Sequence, residues 1–182
     1  LNLLAQKDSF VIMPTGGGKS LCYQIPALLL DGIGIVISPL IALMQDQVFA
    51  LKQQGVNVET INSAMSRSHV YQTKRKIENN ELKLLYVSPE RLLMPEFMEL
   101  ISTAKIALFA IDEAHCVSQW GHDFRPEYTG LSILAEKFPN TPRIALTATA
   151  DGPTRRDIVD KLLLQYIPHI TYYSIKISKF NK

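Results

Sequence analysis

Met13-Pro-Thr-Gly-Gly-Gly-Lys-Ser20 lies between a short apolar run, Ser9–Met13, and a helical pattern over Lys19–Leu30. Strand, glycine-rich turn, lysine with a hydroxyl, then helix is the layout of a phosphate-binding loop. Glycines let the backbone turn tightly and aim its N–H groups inward as an anion nest, and the positive end of the following helix dipole adds to it. Thr15, Gly16, Gly17, Gly18, Lys19 and Ser20 are therefore the candidate nucleotide ligands. Lys19 supplies a mobile charge for the β- and γ-phosphates, and Ser20 can place its hydroxyl on Mg²⁺. One position departs from the general pattern: Met13 stands where it asks for glycine, and three consecutive glycines keep the loop flexible.

Around that loop the chain has 182 residues, 47% of them hydrophobic, and a net charge of +2. This length fits one domain and two only poorly. No apolar run reaches membrane-spanning length, and the N-terminus shows no secretion-signal pattern. The charge balance is not that of a basic nucleic-acid tail, although a local basic stripe remains compatible with it. Cys22 and Cys116 lack the spacing of a zinc site, so reduced thiols are expected.

Strand-like runs alternate with helical patterns along nearly the whole chain. Strands are expected at Ser9–Met13, Ile33–Ser38, Val58–Ile61, Leu84–Ser88, Ile106–Ile111 and Arg143–Leu146. Helices are expected at Lys19–Leu30, Leu40–Gln54, Ser66–Asn79, Pro95–Ser102, Tyr128–Lys137 and Thr154–Leu164, the last with Thr154 as its cap. The strands are dense in Val, Ile and Leu without polar alternation, which implies burial on both faces. The expectation is an α/β fold: a three-layer, doubly wound, mostly parallel sheet, with ligands at the carboxyl ends of the strands. One more strand is expected at Ile170–Ile175, followed by a polar tail.

Ile106–Ile111 ends in Asp112-Glu-Ala-His115. A carboxylate at the end of a buried strand is where a Walker B aspartate belongs, holding Mg²⁺ together with Ser20. Glu113 can polarise the attacking water, and His115 lies one step further. With the phosphate loop on a neighbouring strand, Lys19, Asp112, Glu113 and His115 form the candidate catalytic set. Thr147 and Thr149, beyond the sixth strand, can bond Asp112 or His115 and report on the γ-phosphate.

These segments together resemble the first RecA-like P-loop NTPase domain of superfamily 2 helicases, most closely the RecQ family of ATP-dependent DNA helicases. Met13–Ala27 resembles that family's motif I, Ser38–Gln47 motif Ia, Tyr86–Leu92 motif Ib, Asp112–His115 motif II and Leu146–Ala150 motif III. Cys116-Val-Ser-Gln-Trp-Gly-His-Asp-Phe-Arg-Pro-Glu-Tyr128 resembles the aromatic-rich loop that sets RecQ proteins apart. The resemblance implies ATP and Mg²⁺ as cofactors and single-stranded or forked DNA as partner, unwound from 3′ to 5′. It places Trp120, Phe124 and Arg125 between the nucleotide and the strand, where rings stack on bases and a guanidinium pairs with phosphate. It also puts Ser38, Gln45 and Arg91 at positions suited to backbone phosphates.

On the same resemblance, residues 1–164 are an ATP-binding domain and residues 165–182 diverge from the family. An adenine-recognition segment would precede the chain and a second RecA-like domain would follow it, so an N-terminally clipped single motor domain is expected, with poor hydrolysis of its own. The expected compartment is the bacterial cytoplasm at the nucleoid, with the nucleus as alternative. Two rival readings are a DEAH-type RNA helicase domain and a non-catalytic nucleotide- or nucleic-acid-binding fragment. The aromatic loop counts against the first, the intact Lys19, Ser20, Asp112 and Glu113 against the second. A metabolic kinase would need neither motif Ia nor the Thr-Ala-Thr triplet.

Overall fold

Ile33, Ile35 and Ile37 point to one side of their strand and Val36 to the other, yet all are fully buried. A computed structural model describes residues 2–121, 123–165 and 171–172 and shows why. The strands are β1 (Ser9–Ile12), β2 (Ile33–Ile37), β3 (Val58–Ile61), β4 (Leu84–Val87), β5 (Ile106–Ile111), β6 (Arg143–Thr147) and β7 (Thr171–Tyr172). They form one sheet in the order β3-β4-β2-β5-β6-β1-β7, with every pairing parallel. Two apolar cores cover its two faces. One gathers Phe10, Ile35, Phe109 and Ala145, the other Val11, Val36, Ala110 and Ile144. The three-layer, doubly wound architecture is therefore as expected. The strand expected at Ile170–Ile175 falls within the described residues only as β7, beside β1.

The helices are α1 (Leu21–Leu29), α2 (Ile41–Gln53), α3 (Arg67–Glu78), α4 (Pro89–Leu92), α5 (Pro95–Ser102), α6 (Pro126–Thr129), α7 (Ile133–Lys137) and α8 (Gly152–Lys161). Helices α1 and α2 pack on the second core through Tyr23, Ala27, Met44, Val48 and Leu51. Helices α3, α5, α7 and α8 contribute Ile77, Phe97, Ile101, Leu134 and Ile158 to the first. The α1–β2 contact is so close that a Cβ on Gly34 would stand 2.6 Å from the Ala27 Cβ. None of these helices is long and apolar enough to cross a membrane.

The structure differs from the sequence reading at four places. The helix expected over Tyr128–Lys137 is two short helices, α6 and α7, joined by a 3₁₀ turn at Gly130–Ser132. Gly130 lies against Leu93, where a Cβ would meet Leu93 Cδ1 at 2.9 Å, and the backbone through the turn keeps right-handed helical angles. Helix α8 begins earlier than expected, and its cap is Asp151, whose Oδ1 accepts the Thr154 N–H at 2.9 Å; Thr154 is the recipient and not the cap. Helix α4 and a 3₁₀ turn at Ala114–Val117 were not read from the periodicity, being too short to show one. Finally, β1 and β5 are not neighbours, because β6 lies between them.

At the amino ends of β1 and β6, Asp8 and Arg143 form a buried ion pair (2.7 Å), and Asp8 also accepts the Arg143 and Gln165 backbone N–H groups. Removing the carboxylate leaves a buried guanidinium without its counter-charge. Asp8→Asn is expected to cost about 3–5 kcal/mol in urea denaturation; an unchanged midpoint would show that the pair contributes nothing.

Candidate active site

Because all strands run the same way, the segments after β1, β2, β4, β5 and β6 open on one edge of the sheet. The phosphate-binding loop follows β1. Gly16 and Gly18 take positive φ (78° and 85°), which L side chains rarely adopt. Gly17 is required for another reason: a Cβ there would stand 2.9 Å from the Pro14 carbonyl oxygen. Met13 needs no glycine, since its φ is not positive and its side chain is buried in the core under α1. Its carbonyl accepts from Lys19 Nζ at 3.1 Å, so the lysine folds back over the cradle. Helix α1 opens one turn after the glycines, with Ser20 at its N-cap. Tyr23, one turn on, reaches the Ser20 side chain and bonds the Tyr86 hydroxyl (3.3 Å). Gln24 joins Tyr86 (3.0 Å) to Gln47 on α2 (2.9 Å), a buried network running from the loop to α2 that the sequence reading missed.

Asp112 follows β5, with its N–H still in the ladder on Ile37 and its carbonyl accepting the buried Tyr128 hydroxyl at 2.7 Å. Burial first, and then the charge of Glu113, push the Asp112 carboxyl up to about 6, while Lys19 acts in the opposite direction. Lys19 is thus close enough across β6 to feel this carboxylate. A half-buried carboxyl held in that state is short of positive charge, which is the condition a divalent cation relieves. Ser20 and Asp112 supply the oxygen ligands that Mg²⁺ prefers, so the residues fit that ion.

Glu113 turns the chain with φ +49° into the 3₁₀ turn at Ala114–Val117. His115 is buried there, with Nδ1 3.3 Å from Glu113 Oε2 and 2.9 Å from Thr147 Oγ1. The Thr147 hydroxyl donates to the Thr149 carbonyl (3.0 Å), so it accepts from His115, and Nδ1 carries the proton. The Thr147 carbonyl in turn accepts the Met13 N–H at 3.1 Å. One residue therefore ties the phosphate loop to the Asp-Glu-Ala-His turn. Thr147 is the last residue of β6 and meets the expectation of a bond to His115. The Thr149 side chain is exposed, and only its carbonyl takes part.

The loop after His115 lies directly on it, as a Cβ on Gly121 would come within 2.7 Å of the His115 carbonyl oxygen. Trp120 is 75% exposed, so it is not a core aromatic. It shares an open cavity of about 480 Å³ with His115 and Thr149. Phe124 is half-buried. Arg125 is held by Asp123 (3.2 Å), a partner visible two residues earlier in the sequence but overlooked. Ser118 Oγ donates to Asp157 of α8 (2.8 Å) and Lys161 reaches the Val117 carbonyl, which fixes the base of the loop. His115, Cys116 and Asp123 also bring one ligand atom each within 4.8 Å. Burial and Asp123 push the Cys116 thiol up to about 12, so without a bound cation it stays protonated. Both cysteines are free thiols, as expected.

Of the remaining candidates, Ser38 is buried after β2 and its Oγ accepts the Leu40 N–H (3.4 Å), which shapes the turn into α2. Gln45 is exposed on α2. Arg91 is half-buried at the end of β4, four places along the sheet from β1.

Two measurements follow. For Asp112, the folded value of about 6 lies above the ordinary 3.8, so the folded chain binds the extra proton between those values. The penalty is absent below about pH 4, where both states are protonated, and complete above pH 6. Asp112→Asn should therefore stabilise the metal-free chain by about 1–3 kcal/mol at pH 8, a gain that vanishes near pH 4; a gain independent of pH would contradict the assignment. For Thr147, ¹⁵N spectra of His115 should show a fixed Nδ1–H tautomer in wild type and Thr147→Ser but a tautomer mixture in Thr147→Val.

The family model for DEAD/DEAH box helicases matches residues 1–158. The ATP-dependent DNA helicase RecQ of Pasteurella multocida is 55% identical over 92% of the chain, and that of Bacillus subtilis 49% identical over 88%. The chain spans only about a quarter of these relatives (26% and 27%). Among solved structures, the Pyrococcus furiosus Hef helicase domain superposes with a TM-score of 0.70 at 17% identity, covering 93% of this chain and 35% of that one. Mycobacterium smegmatis helicase Lhr, solved with ssDNA and AMP-PNP, gives 0.61 at 21% identity, covering 87% of this chain and 22% of that one. The chain belongs to the DEAD/DEAH box helicase family, and most of its length is up to 55% identical to RecQ helicases.

Proposed function

We propose that residues 1–164 are the ATP-binding motor domain of a RecQ-type DNA helicase that moves 3′ to 5′ on single-stranded or forked DNA. The observation that carries this reading is the double role of Thr147, which joins the phosphate loop and the Asp-Glu-Ala-His turn across one strand. Lys19 and the N–H groups of the glycine loop bind the β- and γ-phosphates of ATP. Ser20 and Asp112 would hold Mg²⁺, which would neutralise charge on the phosphate oxygens. Glu113 orients the attacking water and accepts its proton. His115, beside Glu113 and bonded to Thr147, senses the γ-phosphate and passes its state to the loop carrying Trp120.

Trp120, Phe124 and Arg125 then couple nucleotide state to a strand lying across the same edge, with Ser38, Gln45 and Arg91 along its backbone. The exposed indole favours stacking, and the Arg125–Asp123 pair holds the guanidinium until a phosphate competes for it. A second RecA-like domain would supply the arginines that complete the site, a contribution worth about 10³–10⁵ in rate. The relatives at 55% and 54% identity are bacterial, which favours action at a bacterial chromosome. The RNA-helicase alternative finds less support in a loop whose sequence is of RecQ type.

Isothermal titration with MgATP tests the nucleotide half. Wild type should bind, and Lys19→Ala should bind at least about tenfold more weakly; equal affinities would remove Lys19 from the site.

A further inference from the structure

The turn after β5 carries a second constellation beside the nucleotide site. His115, Cys116 and Asp123 each bring one ligand atom within 4.8 Å of the others. Cys116 Sγ stands 3.9 Å from His115 Nε2 and 3.8 Å from Asp123 Oδ2. Tetrahedral Zn²⁺, with Zn–S of about 2.3 Å and Zn–N or Zn–O of about 2.0–2.2 Å, holds such atoms about 3.5 Å from the sulfur. Both sulfur separations therefore need to close by only about 0.3–0.4 Å.

The imidazole is already set for a metal. Nδ1 carries its proton, with Thr147 Oγ1 at 2.9 Å and Glu113 Oε2 at 3.3 Å, so Nε2 is the basic nitrogen, and Nε2 is turned to the thiol. Zinc-bound histidines are held in the same way, their other N–H given to an acceptor that fixes the ring and raises its basicity. Thiolate and carboxylate together cancel the charge of a divalent cation, and sulfur with imidazole favours zinc over magnesium. Cys116 is fully buried, but the Asp123 side chain is 45% exposed and gives the ion a way in. The open cavity of about 480 Å³ against His115 leaves room for water at a fourth position. Arg125 places both of its bonds to Asp123 on Oδ2, the oxygen that faces the thiol, so cation and guanidinium compete for it.

We propose that His115 Nε2, Cys116 Sγ and the Asp123 carboxylate form an open three-ligand site for Zn²⁺. On binding, the Cys116 S–H bond breaks, its proton leaves to solvent, and the sulfur lone pair forms the Zn–S bond, with no change of oxidation state. The bound ion draws Asp123 from Arg125 and ties the loop carrying Trp120 to the histidine turn. The thiol's high value, about 12 without a cation, weakens the apparent affinity, which suits a reversible ion and not a permanent one. Two ligands are adjacent in sequence and the third is a carboxylate, so the spacing of cysteine and histidine does not reveal the site. The proposal is independent of the DNA reading.

Titration of the reduced chain with Co²⁺ alone tests it. One equivalent should give the intense visible bands of tetrahedral cobalt and a near-ultraviolet thiolate-to-cobalt band, and Zn²⁺ should displace both. Cys22→Ser should keep the thiolate band and Cys116→Ser should lose it. Asp123→Asn, on a partly exposed side chain, should weaken binding at least about tenfold. Thr147→Val removes an acceptor of the Nδ1 proton and should weaken it by about 10–100-fold. Trp120 is the chain's single tryptophan, so its emission should change with the same stoichiometry when Zn²⁺ is added. Octahedral cobalt without a thiolate band would overturn the proposal. So would a band that survives Cys116→Ser and vanishes in Cys22→Ser, or wild-type affinity in Asp123→Asn. Should Cys116→Ser fail to fold, the Cys22→Ser spectrum and the Asp123→Asn affinity decide.

Discussion

The centre of this domain is a threonine that bonds in two directions. The Thr147 carbonyl holds the start of the phosphate loop through the Met13 N–H, and its hydroxyl holds His115. The arrangement is possible only because β6 lies between β1 and β5 in a parallel sheet, so that the ends of all three strands meet on one edge. Had β1 and β5 been adjacent, loop and turn would touch directly and no residue would stand between them to register a change in either. The crossover order of the strands is therefore part of the site.

Electrostatics supports the same organisation. Asp112 and Glu113 place adjacent carboxyl groups at the end of a buried strand, and Lys19 answers them only from across β6. The folded domain carries this imbalance because its cores can bear it. Both faces of the sheet are closed by apolar side chains, and Asp8–Arg143 ties β1 to β6 at the opposite, amino edge. One edge is stabilised by a matched ion pair, while the other keeps a mismatch that suits charged ligands.

Much of this was legible in the residues. Runs of Val, Ile and Leu free of polar alternation gave the parallel, doubly covered sheet, and the glycine loop and Asp-Glu-Ala-His turn marked the ends of β1 and β5. The order of the strands was not legible, since period and propensity describe elements and not their neighbours. Helix boundaries failed where elements are only a turn or so long, as at Tyr128–Lys137, where a 3₁₀ turn separates α6 from α7. Capping chemistry was misassigned at α8 because Asp151 and Thr154 are both competent caps, and only the direction of the bond separates them. Long-range polar partners, Tyr128 for Asp112 and Tyr86 for Tyr23 and Gln24, bring together residues 16 to 63 positions apart and have no local signature.

Gly121 sits so close to the His115 carbonyl that only a hydrogen atom fits in the gap. Any side chain at position 121 would have to push the loop that carries Trp120 away from the histidine turn, so the spacing between the two is set by a residue that has no side chain.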